Sequence, residues 1–187
     1  MTTTVSKQLR WTISDLEGLP ENGNRYEIID GELFVTRAPH LDHQDSAGLL
    51  YGALLNWSLE SGFGKPFFAP GVIFSAEDAV IPDLIWISHD RKSRLMDDAG
   101  HLMGSPELVV EVLSKTEKDK KRDRETKLKL YSAQGVLEYW IVDYEAQLIA
   151  IYRREEGVLK QVLTLFAADI LTSPLLPGFS CAIAGLF

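Results

Sequence analysis

The sequence predicts a mixed α/β domain built on a central β-sheet, and three observations predict it. Residues 80–87 and 108–113 are short apolar runs rich in β-branched residues and bounded by loop signals, the pattern of buried strands. An Asp-Gly pair, Asp30-Gly31, separates the runs 26–29 and 32–35. That pair is a strong hairpin signal because a two-residue turn needs positive φ at both positions. Two other stretches switch to helical spacing: Leu50, Ala53, Leu54 and Trp57, and later Arg124, Lys127, Leu128 and Tyr131. Hairpin, helix, strands, helix, strand and strands in that order suit a layered α/β architecture.

Taken in order, residues 1–10 carry no periodic signal, and Ser14-Asp15-Leu16-Glu17 predicts a short capped helix before Pro20. After the hairpin, the long helix with Leu49 beside its apolar face ends at Gly62 and Gly64. Phe67-Phe68 and Val72-Ile73-Phe74 predict strands flanking a Pro70-Gly71 turn. Residues 89–104 are polar and predict a loop with some helix. A helix is predicted over 119–133, with Gly135 just past its end. Residues 137–143 predict another buried strand, and 147–153 with 158–166 a hairpin through Glu155-Glu156-Gly157. The tail from Thr172, with its prolines and glycine, reads as a loop packed onto the domain.

A chain of 187 residues suits one domain with a real core. The absence of a long apolar run predicts no membrane span, and the polar start is unlike a signal peptide. The lone cysteine, Cys181, excludes an internal disulfide and suits the cytoplasm. A net charge of −8 argues against a strong non-specific grip on nucleic acid. Yet residues 115–129 hold eight Lys or Arg against four Asp or Glu, so one local patch is basic.

The chemistry lies in charges set where they are costly. Asp83 follows Pro82 at the head of one apolar run, on the face of Ile81, Ile85 and Ile87, and Glu111 interrupts the other. Removing a carboxylate from water is unfavourable unless something pairs with it. Singly, Asp83 reads equally as a turn cap, whereas half of a buried ion pair is the lesser reading of Glu111. Together, two carboxylates with water and a backbone carbonyl, that of Val112 being the candidate, suit octahedral Mg²⁺ or Mn²⁺. Both carboxyl groups are then expected to titrate high without metal, since like charges in one site disfavour double ionisation. Such a cation acts on phosphoryl groups, and a lysine beside it stabilises the charge that gathers in the transition state. Lys115 and Lys127 are both candidates on spacing alone. Glu32, His43, Arg124 and Tyr131 are candidate accessory residues. Histidines 40, 89 and 101 make no zinc spacing, and neither a Walker loop nor a Gly-x-Ser-x-Gly elbow is present.

Tyr26-Glu27-Ile28-Ile29-Asp30-Gly31-Glu32-Leu33, His43, Pro82-Asp83, Pro106-Glu107-Leu108-Val109-Val110-Glu111-Val112-Leu113-Ser114, Lys127 with Tyr131, and Gly135-Val136-Leu137-Glu138-Tyr139-Trp140-Ile141-Val142-Asp143 occur in this order. In them the chain resembles the Uma-two family of endonucleases, a branch of the PD-(D/E)XK restriction-endonuclease-like superfamily. The resemblance covers residues 26–153. It implies a restriction-endonuclease-like mixed central sheet flanked by helices, with an N-terminal β-hairpin. In domain terms it implies one unit over 1–187: an extension 1–24, a family core 25–153, and a C-terminal hairpin and tail 154–187. It implies Mg²⁺- or Mn²⁺-dependent hydrolysis of phosphodiesters in nucleic acid, DNA being expected. Asp83 and Glu111 match the superfamily's acids. Leu113 stands where its lysine is expected, and the family's relocated lysine points to Lys127. Helical spacing puts Lys127 at the boundary of the face anchored by Leu128 and Tyr131. Cutting both strands of DNA calls for two sites, so a homodimer is expected, with apolar residues of 162–187 as contact area. The rival readings are a non-catalytic DNA-binding or regulatory module of the same fold and a structural or partner-binding protein.

Overall fold

The computed structural model describes residues 9–187, so the aperiodic stretch 1–8 lies outside it. Helix α1 (Ile13–Leu16) is set by Asp15, whose carboxylate accepts hydrogen bonds from the N–H and hydroxyl of Thr12. Thr12, two residues before Ser14, is therefore the cap, and the helix starts at Ile13. Strands β1 (Arg25–Ile29) and β2 (Glu32–Thr36) form the predicted hairpin, with φ of 51° at Asp30 and 72° at Gly31. They join β4 (Val72–Ser75) and β5 (Asp78–Val80) in an antiparallel sheet of order β2-β1-β5-β4. Residues 10–13 belong with this sheet: Trp11 N–H donates to Gly31 O, Ile13 N–H to Ala76 O, and Arg10 pairs with Asp30 and Glu77.

The larger sheet has six strands in the order β10-β9-β8-β7-β6-β3. These are β3 (Gly64–Phe68), β6 (Leu84–Ser88), β7 (Leu108–Val112), β8 (Glu138–Asp143), β9 (Leu148–Glu155) and β10 (Val158–Phe166). Only β7 and β8 run parallel, joined by a helical crossover; the other pairs are antiparallel. The strands predicted on either side of Pro70-Gly71 form but do not pair, because Ala69, at φ 46°, and Pro70 carry the chain from the six-stranded sheet into the smaller one. Gly64 allows β3 to lie close to β6: a Cβ there would come within 2.3 Å of Ile87 O.

Side-chain alternation divides the six-stranded sheet into two faces. Leu84, Trp86, Leu108, Val110, Val112, Trp140 and Val142 pack beneath helix α2 (Leu41–Ser61). Ala47, Leu50 and Leu54 are the buried contacts of α2, whereas Leu49 is exposed, and Gly62 closes the helix at φ 69°. The C-terminal segment covers the rest of this face. It is a ribbon of β11 (Ile170–Ser173) and β12 (Leu176–Ala182) followed by a 3₁₀ turn (Ile183–Leu186), not the loop that its prolines suggested. A two-stranded ribbon consists wholly of edges, so Pro177 removes no central ladder bond. Buried Glu138 ties the ribbon to the sheet by accepting from Ser173 Oγ, Trp140 Nε1 and Arg153 Nε.

The opposite face carries Ile85, Ile87, Val109, Leu113, Tyr139 and Ile141. Helix α3 (His89–Leu95) supplies the helix expected within 89–104. The predicted helix of 119–133 is a continuous one in three parts: α4 (Glu117–Lys121), a π-helical segment (Arg122–Lys127) and α5 (Leu128–Gln134). Thr116 Oγ1 caps its start through Asp119 N–H, and Gly135 ends it at φ 89°. Among the described residues no helix is long and apolar enough to cross a membrane.

Candidate active site

Strand alternation and sheet register bring the two acids together. Leu84 pairs with Val110 across the antiparallel β6/β7 ladder, so one further step sets Asp83 opposite Glu111. Both lie in phase with Ile85 and Val109, on the face covered by the three-part helix. They line a cleft of about 580 Å³ together with Glu27, His43, Val112, Asp123 and Lys127. The cleft floor is nearly sealed: Asp83 is 5 % exposed, Glu111 3 %, Glu27 2 % and Lys127 2 %.

Each buried charge has named partners. Asp83 Oδ1 accepts from Arg25 at 3.0 Å, while Oδ2 accepts from Val112 N–H at 2.9 Å and lies 3.1 Å from His43 Nε2. Lys127 Nζ stands 2.9 Å from Glu111 Oε1 and 2.9 Å from Glu27 Oε1, with Asp123 Oδ1 at 3.9 Å. Tyr131 donates its hydroxyl to Glu111 Oε1 at 2.7 Å. Glu27 Oε1 also accepts from Ile81 N–H at 2.8 Å, two residues before Asp83. Arg122 Nε pairs with Asp123 at 3.1 Å.

The two acids titrate in opposite directions. Burial raises Glu111 to about 8; Lys127 opposes that shift, while Asp83, Asp123 and Glu27 reinforce it. Burial also acts on Asp83, but the hydrogen bond and charge of His43, the Val112 N–H and the charge of Lys127 outweigh it and hold the group below its ordinary value. The expectation that both acids rise is thus met only at Glu111, because His43, the Val112 N–H and Lys127 outweigh the burial of Asp83, whereas neighbouring carboxylates add to that of Glu111. Lys127 rises above its ordinary value: burial disfavours its charge, but Glu111, Glu27 and Asp123 together prevail. Four buried carboxylates against so few cations leave the floor short of positive charge.

The sequence-predicted residues divide clearly. Asp83, Glu111, Lys127, Val112, His43 and Tyr131 converge on the cleft. Lys127 lies deeper than a boundary position, since Glu27 approaches from the opposite sheet and encloses it. Lys115 is exposed at the cleft mouth, and Lys129 is exposed. Glu32 does not reach the site; it is exposed at the hairpin turn, paired across the ladder with Ile29. Arg124 does not share the face of Lys127. The wide π-helical turn aligns Asp123 with Lys127, and Arg124 reaches instead to Asp143 at the end of β8, at 2.9 Å. Glu27, Arg25, Asp123 and Arg122 were not identified as site residues from sequence. For Glu27 the signal was present: it interrupts an apolar run just as Glu111 does.

Among the described residues no group of three or more His, Cys, Asp or Glu side chains is arranged to hold a metal ion. The donors nevertheless fit a hard cation that keeps most of its water. A carboxylate offers roughly four acceptor positions. Both hydrogen bonds to Glu111 fall on Oε1 and leave Oε2 for the cleft, and Asp83 Oδ1 carries one donor only. The Val112 N–H points to Asp83, away from β8, and in a strand the carbonyl of the same residue points to the same side. Mg²⁺ is commonly held by one or two carboxylates, with water and substrate phosphate completing its shell.

These layers, a mixed sheet with α2 on one face and the charged helix over paired acids on the other, define a restriction-endonuclease-like α/β protein. The crystal structure of a putative nuclease belonging to DUF820 from Anabaena variabilis superposes with a TM-score of 0.76 at 16 % identity, over 94 % of this chain and 97 % of that one. A family model described as "Uma2: Putative restriction endonuclease" matches residues 13–184, and the chain belongs to that family. The match includes α1 and the C-terminal ribbon, beyond the 26–153 that the motifs span. No curated protein matches the chain.

Proposed function

We propose that this protein is a metal-dependent endonuclease that hydrolyses phosphodiester bonds of nucleic acid, with DNA as the expected substrate. The observation that carries this reading is the meeting of Asp83 and Glu111 in one cleft, with Lys127 Nζ 2.9 Å from Glu111. In this reading Asp83, Glu111 and the Val112 carbonyl hold Mg²⁺ or Mn²⁺. When bound, the ion supplies Lewis-acid stabilisation of the phosphoryl oxygens and a more acidic water. Lys127 orients the attacking water and opposes the negative charge of the transition state. Glu27 and Tyr131 hold that lysine and Glu111 in place, and His43 with Arg25 fixes the rotamer of Asp83.

The test is cleavage of circular single-stranded DNA and supercoiled plasmid with Mn²⁺. The parent is expected to cut, and Asp83→Asn to be inactive. A parent that binds Mn²⁺ by calorimetry yet leaves both circles intact refutes catalysis. That outcome favours a second reading, a non-catalytic nucleic-acid-binding module, which is supported by the protein partners that Asp83, Glu111 and Lys127 already have. The cytoplasm is the proposed location, consistent with free Cys181.

We also propose that the protein works as a homodimer, with exposed Leu163, Phe166 and Ile170 as apolar contact area. Light scattering at high concentration should give twice the chain mass. A strictly monomeric mass would remove the dimer and leave the site untouched.

A further inference from the structure

Two observations outside the catalytic set concern what the cleft accepts. Among the described residues, only His43 Nδ1 and the Tyr144 hydroxyl are buried side-chain polar atoms without a hydrogen-bond partner, and both line this cleft. Buried polar groups are nearly always satisfied, so two orphans on residues that line one cleft point to polar occupants there. The second observation is the cations of the cleft mouth. In a chain with 27 acidic residues against 19 Lys and Arg, unpaired cations are the unexpected case. Arg37 on one lip, at the exit of β2, and on the other Lys115, between β7 and α4, and Lys118, in the first turn of α4, are exposed. None of the three makes an ion pair among the described residues.

We propose that these lips grip one strand of nucleic acid, its phosphates running between Arg37 and Lys115/Lys118. The identity of the ligand as nucleic acid rests on the nuclease reading; the single strand rests on the shape of the site. The acids are nearly sealed beneath the exit of the N-terminal hairpin, so the scissile phosphate must dip to the floor. A duplex, with a persistence length of about 150 base pairs, resists such a local bend. A single strand makes it easily, and basic grooves with an aromatic side chain are the usual platform for one.

The experiment is anisotropy of a labelled mixed-sequence oligonucleotide, single-stranded and as its duplex, in EDTA across a salt titration. The single strand is expected to bind at least about tenfold more tightly than the duplex. Each phosphate contact on a single strand contributes about −0.7 to the logarithmic salt slope, so Lys115→Ala/Lys118→Ala should flatten it by about 1.4. Lys65→Ala/Lys129→Ala, which removes exposed cations away from the cleft, should change neither quantity. Equal or tighter duplex binding overturns the single strand, and an unaltered slope in Lys115→Ala/Lys118→Ala overturns the lips. Absence of binding to either form overturns both. The nuclease reading fails separately, through absence of Mn²⁺-dependent cleavage. RNA and DNA strands run side by side separate the two backbones.

Discussion

Lys127→Met is expected to abolish Mn²⁺-dependent cleavage and to cost roughly 3–5 kcal/mol of folding stability without metal, the range for removing one partner of a buried ion pair. Helical spacing alone places this lysine at a boundary, where the same change would cost little. Buried as it is between Glu27 and Glu111, with Asp123 nearby, its loss strands carboxylates in a place without solvent. Adding Glu27→Gln to Lys127→Met should recover part of the lost stability, but none of the cleavage. Residues sharing one ion pair couple by about 0.5–3 kcal/mol in such cycles. Lys129→Met, at an exposed position two residues further along the helix, should stay within about 0.5 kcal/mol of the parent. Urea unfolding beside the cleavage assay decides it. A Lys127→Met protein as stable as the parent would mean that the lysine does not hold these acids together.

The second large effect is one of pH. With Glu111 raised to about 8, its carboxyl holds a proton at neutral pH that a metal ion must displace. Mn²⁺ affinity should therefore rise about tenfold per pH unit below pH 8 and then level off, with calorimetry in buffers of different ionisation enthalpy detecting a proton released on binding. The metal-free protein should behave oppositely. The folded-state value lies above the ordinary 4.5, so between those limits the folded state binds more protons than the unfolded one, and Glu111 makes stability fall as pH rises. Asp83 is lowered, so its contribution is present above the ordinary 3.8 and is lost as pH falls through its folded value. Metal-free stability should thus peak in mild acid. A flat Mn²⁺ affinity from pH 6 to 8 would place Glu111 at an ordinary value and remove the excess of negative charge from the site.

What was legible in the sequence was whatever carries its own local signature. Asp30-Gly31 announces a turn because positive φ is costly for most residues, and Glu111 announces itself because a carboxylate among valines needs a partner. The tail from Thr172 was misread because Pro177 and Gly178 argue against a strand, and only the isolation of the ribbon makes them harmless. Glu27 was passed over because hairpin acids are usually solvated, and the sheet that buries it comes from residues more than fifty positions away. Arg124, Asp123 and Arg122 lie in a stretch where many charges look alike. There the π-helical turn, which has no sequence signal, decides which of them face inward.

The single oxygen of Glu27 that meets both Ile81 N–H and Lys127 Nζ gives the N-terminal sheet a hold on the cleft it covers. The six-stranded sheet and its helix can bring Lys127 to Glu111 without that hold, but Lys127 is not clamped from its other side, nor Asp83 held by Arg25, until the hairpin has docked across a long sequence separation, which is intrinsically slow. A chain whose hairpin has not docked therefore has its lysine held from one side only. On the proposed function, cutting power would arrive only with the finished molecule, and a growing or damaged copy would be harmless to the nucleic acid around it.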